Sequence, residues 1–406
     1  MCKFVVMKPI SNPFSHPIYV MPKPVGSACN MACTYCYYLE KKRYYPDATR
    51  QMMSESTLEE FIRQYIAAQT TPEVMFTWHG GEATMRQVDF YRKAVEIQKR
   101  YAGGRRIENC LQTNATLLND EWCRFLRQEE WLVGVSIDGP EEFHNEYRRT
   151  PAGKPSFRNV MRGIQLLQRH GVEWNALAVV NDYNADYPVE FYRFFKEIGC
   201  RFIQFTPVVE RLKPDRMLAD VASGGEMADF SVTPEQWGSF LTGVFDEWRR
   251  EDVGKVFVQI FDATLANWVG AEPGVCSLAP TCGHAAAMEW NGDVYSCDHF
   301  VFPAYKLGNI HDSTIIEMMG SDRQLKFGAA KRDSLPRQCR ACRWLSLCNG
   351  ECPRNRFAVT ADGEPGLNYL CEGYRTFFKH SAPYFEFMAR ELQAGRPPAN
   401  VNGLLL

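Results

Sequence analysis

Two hydrophobic periods alternate along the chain through residue 260. Short runs rich in β-branched and aromatic residues lie at Pro17–Pro22, Val74–Trp78, Arg106–Gln112, Leu132–Ile137, Val172–Val180 and Arg201–Pro207. Between most of them, apolar residues recur every three or four positions, in Ser54–Gln69, Gln87–Tyr101, Asn119–Gln128, Ser156–His170 and Ala185–Ile198. The first period predicts strands and the second amphipathic helices. Their repeated alternation predicts parallel βαβ units of the α/β class. Six units suit a partial (β/α)6 TIM-like barrel, and an open doubly wound sheet is the alternative.

The pattern then changes. Glu210–Gln236 is polar and carries Pro214, Gly224, Gly225 and Pro234, as a connector would. A helix is predicted over Pro234–Arg250. Beyond Gly270 the periodicity fades into Gly- and Cys-rich turns, with one hairpin predicted at Ala286–Ser296, turning at Asn291-Gly292. This last segment shows little apolar core of its own, so bound metal is expected to hold it together. The expected organisation is a barrel over residues 1–235, a connecting helical segment over 236–270, and a cysteine-rich domain with a C-terminal helix over 271–406.

The barrel reading gives the loops a meaning, because active sites in parallel β/α architectures form at the C-terminal ends of strands. The first such loop holds Cys29, Cys33 and Cys36, and the second Gly80-Gly81-Glu82. The third holds Thr113-Asn114, and the fourth Ser136-Ile137-Asp138-Gly139. All four motifs are expected around one mouth.

Composition narrows the options further. The 406 residues are 45% hydrophobic and 23% charged, an ordinary globular balance. A net charge of −2 gives no basic excess for nucleic acid phosphates. No apolar run approaches membrane-spanning length, and Met1–Ile10 lacks the blocks of a signal peptide, so a cytoplasmic location is expected. Fifteen cysteines in a reducing compartment are not read as disulfides. Cys2, Cys110, Cys123 and Cys200 are scattered and are read as small buried hydrophobes. The other eleven cluster as metal ligands would.

Cys29-x3-Cys33-x2-Cys36 places three thiolates on one short loop. A cubane 4Fe–4S cluster held by three cysteines keeps one iron open. Structural zinc is closed by four ligands, and the nearest histidines, His16 and His79, are distant in sequence. The stretch Cys29-Asn30-Met31-Ala32-Cys33-Thr34-Tyr35-Cys36-Tyr37-Tyr38 resembles the signature of the radical S-adenosylmethionine enzymes. That resemblance implies an open iron that binds the methionine moiety and a 5′-deoxyadenosyl radical released on cleavage. It implies that Gly80, Gly81 and Glu82 approach the methionine amino group, with Ala83 standing where the family has proline. It implies further that Ser136 and Arg148 meet the ribose or carboxylate, and that the Tyr35 backbone meets the adenine. A surface arginine is the plain alternative for Arg148.

The C-terminal cysteines resemble the SPASM extension of radical enzymes that modify peptides and proteins. By that resemblance Cys276, Cys282, Cys297 and Cys352 hold one auxiliary 4Fe–4S cluster, and Cys339, Cys342, Cys348 and Cys371 hold a second. Three clusters and S-adenosyl-L-methionine are thus the implied cofactors. A pair of zinc ribbons is the alternative. Asp298, directly after Cys297, is similar to the base of anaerobic sulfatase-maturating enzymes. The resemblance implies oxidation of a sulfatase cysteine or serine to Cα-formylglycine, with methionine and 5′-deoxyadenosine as co-products. The implied partners are an unfolded sulfatase segment, Cys/Ser-x-Pro-x-Arg, and a flavodoxin- or ferredoxin-type electron donor. Two rivals stand beside this reading. One is another SPASM enzyme, such as a thioether-forming peptide maturase. The other is a non-catalytic redox or zinc-binding module.

Overall fold

A computed structural model describes residues 17–46, 51–215, 217–219 and 224–405. Cys2, His16 and the N-terminal decapeptide lie outside these residues, as do Arg216 and residues 220–223 of the connector.

The predicted strands form as β1 (Tyr19–Pro22), β2 (Glu73–Trp78), β3 (Arg106–Thr113), β4 (Leu132–Ser136), β5 (Trp174–Val180) and β6 (Phe202–Pro207). Between them lie α1 (Glu55–Ala68), α2 (Gln87–Tyr101), α3 (Asp120–Gln128), α4 (Glu141–Tyr147), α5 (Phe157–His170) and α6 (Pro188–Glu197). Local chemistry sets many of their ends. Ser54 and Asn119 cap α1 and α3 through their side chains, and Gly171 closes α5 in the left-handed conformation. The connector forms a two-stranded ribbon of β7 (Arg211–Leu212) and β8 (Glu226–Met227). It leads into α7 (Pro234–Glu251), which starts with a capping box of Thr233 and Gln236.

Six parallel strands make the main sheet, in the order β2-β3-β4-β5-β6 and then β9 (Phe257–Val258), which precedes α8 (Gln259–Trp268). Two residues are too few to show a period, so β9 leaves no pattern in the sequence. The more consequential difference concerns β1. It packs beside β2, where the His79 amide donates to the Pro22 carbonyl at 3.1 Å. Its ladder partner, however, is β10 (Ala285–Met288), which it meets in parallel, Tyr19 opposite Ala285. The expected hairpin forms as β10 and β11 (Asp293–Tyr295), and β12 (Lys306–Asn309) completes this second sheet.

The remainder is helical apart from a small ribbon, β13 (Ala358–Val359) with β14 (Pro365–Leu367). Its helices are α9 (Ile315–Met319), α10 (Asp322–Asp333), α11 (Arg337–Arg340), α12 (Leu345–Cys348) and α13 (Cys371–Gln393). Here the structure corrects the expectation of a segment with little core. Tyr374, Phe377, Phe378, Phe385 and Met388 of α13 are buried in the same hydrophobic cluster as Trp237, Phe240, Phe245 and Trp248 of α7. Their apolar positions are spread over a long helix whose partner lies far back in the chain, so the shared core is invisible locally. No described helix is long and apolar enough to cross a membrane.

Candidate active site

The loop after β1 is fixed by backbone bonds to its neighbours. Gly81 and Glu82 amides donate to Gly26 and Ala28 carbonyls at 2.7 and 2.8 Å. A β-carbon on Gly81 would run into the Ala28 carbonyl, so glycine is required there. On the other side, Ala32 and Thr34 amides donate to Arg149 and Tyr147 carbonyls at 2.8 and 3.0 Å. This lacing carries Cys29, Cys33 and Cys36 between the second and fourth strand loops.

Glu82 is buried, and its carboxylate accepts from the Asn114 amide at 2.7 Å, the Thr113 hydroxyl at 2.7 Å and the Thr84 amide at 3.0 Å. It therefore ties the second loop to the third. Asn114 continues the network, donating to Asn30 Oδ1 at 2.9 Å beside the Cys29 thiol. Ser136, at the end of β4, accepts from Gln112 at 2.9 Å.

Arg148 is a buried residue of this mouth, not a surface one; its side chain is 9% exposed. It donates to the Tyr35 hydroxyl at 2.8 Å and lies 3.7 Å from Asp138, which Tyr35 also bonds. Its Nε is buried without a hydrogen-bond partner among the described residues. An unsatisfied buried guanidinium nitrogen suits an incoming carboxylate.

The eleven clustered thiols sort into three neighbourhoods. Burial and then Glu82 push Cys29 up to about 12, with Cys33 and Cys36 adding to the shift. Burial is the main cause that raises Cys282, Cys297 and Cys352; Cys276 adds to all three, Cys282 adds to Cys297, and Glu351 and Cys297 add to Cys352. Burial and then Cys339 and Cys348 push Cys371 up to about 12, and Cys342 acts on both Cys339 and Cys348. These neighbourhoods are compatible with the sets of three, four and four that the family resemblance implies. Among the described residues no set of donors converges for a single bare ion. Crowded soft thiols in sets of three and four are a donor set that fits iron–sulfur clusters. Cys123 and Cys200 are buried and Cys110 is half-buried.

Asp298 opens a short 3₁₀ turn after Cys297 and sits where both halves meet. The β1–β10 ladder brings Lys23, just past β1, against it as an ion pair; Lys23 is fully buried and the Asp298 side chain is 18% exposed. Tyr37, next to Cys36, donates its hydroxyl to the other carboxylate oxygen. Burial pushes the Asp298 carboxyl up, but Lys23 and then His79 and His299 outweigh it and hold it well below the usual carboxylate range. His79, pushed down to about 4 by burial and Lys23, accepts at Nδ1 from the Gly80 amide at 2.8 Å. Arg354, two residues past Cys352, lies 4.9 Å over the Tyr37 ring and pairs with buried Glu210. A solvated hairpin carboxylate has no such cage. Lys23 and Arg354 carried no motif, Tyr37 stood in the signature with no role of its own, and only the fold brings the three together around Asp298.

A parallel β/α sheet whose mouth holds a three-thiol loop, joined to two four-thiol groups, defines the class. The family models agree: the Radical SAM superfamily matches residues 24–195, and an iron-sulfur cluster-binding domain, SPASM, matches residues 281–343. Over 394 residues the chain is 63% identical to the serine-type anaerobic sulfatase-maturating enzyme of Bacteroides thetaiotaomicron, covering 96% of this chain and 95% of that one. It is 30% identical to the cysteine-type enzyme of Clostridium perfringens, over 90% of this chain and 97% of that one. The solved structure of native anSMEcpe with bound AdoMet and the Cp18Cys peptide superposes with a TM-score of 0.82 at 30% identity, covering 93% of this chain and 100% of that one. The chain belongs to the anaerobic sulfatase-maturating enzymes, radical SAM enzymes that carry 4Fe–4S clusters and use S-adenosylmethionine.

Proposed function

We propose that the mouth of the barrel oxidises a serine of an unfolded sulfatase segment, Ser-x-Pro-x-Arg, to Cα-formylglycine, with Asp298 as the base. The supporting observation is the cage of Asp298, a half-buried carboxylate that directly follows Cys297, pairs with Lys23 and accepts from the hydroxyl of Tyr37, the neighbour of Cys36. The serine-type name of the 63% relative favours serine over cysteine. Residues 1–235 serve the radical step, 271–406 the electron, and 236–270 join them; a cytoplasmic flavodoxin or ferredoxin is the donor.

Cys29, Cys33 and Cys36 would hold the first cluster, Cys276, Cys282, Cys297 and Cys352 the second, and Cys339, Cys342, Cys348 and Cys371 the third. When bound, the first cluster and S-adenosylmethionine supply hydrogen-atom abstraction, leaving methionine and 5′-deoxyadenosine, while the auxiliary clusters supply a sink for one electron. The chain's own residues do the rest. Arg148 offers its free Nε to a carboxylate, and Gly80 and Gly81 let the backbone come close to an amino group. Tyr35 presents its backbone to the adenine beside Ser136, and Glu82 holds these loops in register. Asp298 takes the proton from the target hydroxyl, so that one hydrogen atom, one proton and one electron together account for the oxidation of CH2–OH to an aldehyde.

Mass spectrometry after anaerobic incubation of a serine peptide with S-adenosylmethionine and reductant tests the reading. Formylglycine is expected, and release of 5′-deoxyadenosine with no formylglycine in the peptide would favour the rival. In Asp298→Asn, deoxyadenosine release should persist while formylglycine falls by about 10²–10⁴-fold, the usual loss for a general base. Undiminished yields of both would remove Asp298 from the reaction.

A further inference from the structure

The fading periodicity beyond Gly270 predicts turns, yet Asp322–Asp333 forms the polar helix α10, of which only three residues are buried: Gln324, Gly328 and Lys331. Their spacing of four and three puts them on one face. That face lies against the loops of the Cys276 group. Gln324 donates through one nitrogen to the Gly283 carbonyl at 2.9 Å and the Ser296 carbonyl at 3.0 Å, the residues beside Cys282 and Cys297. The Cys282 amide donates to the Gly328 carbonyl at 3.1 Å, and a β-carbon on Gly328 would meet the Cys282 carbonyl at 2.5 Å. Lys331, with 0% exposure, donates to the carbonyls of Cys276 at 2.5 Å and Ser277 at 2.7 Å. The fourth cysteine is tied in as well. Arg356 donates to the Lys331 carbonyl and also to those of Asn349, Gly350 and Glu351, the run that precedes Cys352.

The geometry points to α10 as the element that sets the ligand geometry of the first auxiliary cluster, with the Lys331 ammonium as the charge that raises that cluster's reduction potential. The inference rests on the proposed ligation by Cys276, Cys282, Cys297 and Cys352. The physical reasons are two. Loop thiolates hold a cubane only if their backbones are fixed, and backbone carbonyls accepting from one rigid helix fix them. A cation shielded from water acts on a nearby anionic cluster with little screening, and added positive charge favours the reduced state. Gln324, Gly328 and Lys331 are positioning residues: none of them has to touch substrate.

The test uses the full-length chain with Cys29, Cys33 and Cys36 replaced by alanine, reconstituted anaerobically, so that only auxiliary clusters report. About eight irons per chain, four per cubane, are expected. A count far below that overturns the ligand assignment, and with it this inference, before α10 is altered. On that background Gly328→Ala should lose about four irons. Lys331→Gln keeps a donor and removes the charge, and should shift the reduction equilibrium of one cluster at least tenfold toward the oxidised form, about 59 mV for one electron. Lys331→Arg should restore the original potential. Loss of four irons in Lys331→Gln with recovery in Lys331→Arg also supports the role of the helix. Eight irons and a potential within tenfold of the parent, in both Gly328→Ala and Lys331→Gln, overturn it.

Discussion

The thiols at the barrel mouth and those of the Cys276 group are held in different ways. Cys29, Cys33 and Cys36 lie on a loop that leaves a strand and is laced to two neighbouring strand loops, so the sheet itself sets their place. Cys276, Cys282, Cys297 and Cys352 come from four separate turns, and buried side chains of α10 and Arg356 hold those turns by their carbonyls. On the proposed ligation, three thiols at the mouth leave one iron open to a reacting group, and four in the auxiliary group leave none, which suits an electron carrier. Cys276 is nonetheless exposed, so the auxiliary group is fixed by its neighbours without being sealed from solvent.

Removing the thiols of the mouth should sharpen this difference most. Replacing Cys29, Cys33 and Cys36 together by alanine is expected to abolish 5′-deoxyadenosine release while the auxiliary irons remain. Chromatographic assay of deoxyadenosine beside an iron count checks it, and residual cleavage would move the reactive site elsewhere. A smaller effect is expected from the core that joins the halves. Phe377 of α13 packs edge-on to Phe245 of α7, with centroids 5.8 Å apart. Phe377→Ala should cost about 3–5 kcal/mol, and urea titration followed by circular dichroism should show it even in iron-free protein. If iron-free protein shows no cooperative transition, metal and not this core holds the C-terminal half.

The smallest effect is a pH dependence. Burial alone pushes Asp262 of α8 from 3.8 up to about 7. A carboxyl whose pKa rises on folding contributes stability at low pH, and that contribution is lost as pH climbs through the folded value. Stability attributable to Asp262 should therefore decline between about pH 4 and pH 7. Asp262→Asn should flatten that decline, measured as the urea midpoint at pH 5 and pH 8. An unchanged slope would place Asp262 in contact with water.

Much of the chemistry was legible in the sequence because it is local. Cys29-x3-Cys33-x2-Cys36, the two glycines before Glu82, and Asp298 beside Cys297 each declare themselves within a few residues. The barrel strands were legible for the same reason, since a five-residue run shows its period. What escaped depends on distance along the chain. Lys23 is one lysine among many until the β1–β10 ladder sets it against Asp298. Lys331 sits in a stretch whose faded periodicity predicts turns, with nothing local to mark it as buried. The apolar face of α13 has no meaning until α7 covers it.

The ladder of β1 with β10 also bears on how the chain reaches its native state. Tyr19 leaves the ribosome long before its partner Ala285 exists, and at ordinary synthesis rates the wait is on the order of tens of seconds. During that time β1 has an unpaired edge, open to adventitious pairing with other chains. Closing so long a loop is entropically slow as well. The two halves therefore mature as one unit: a fragment ending before Ala285 would leave β1 without its ladder partner and Asp298 unmade, and should fall to chaperones or aggregate.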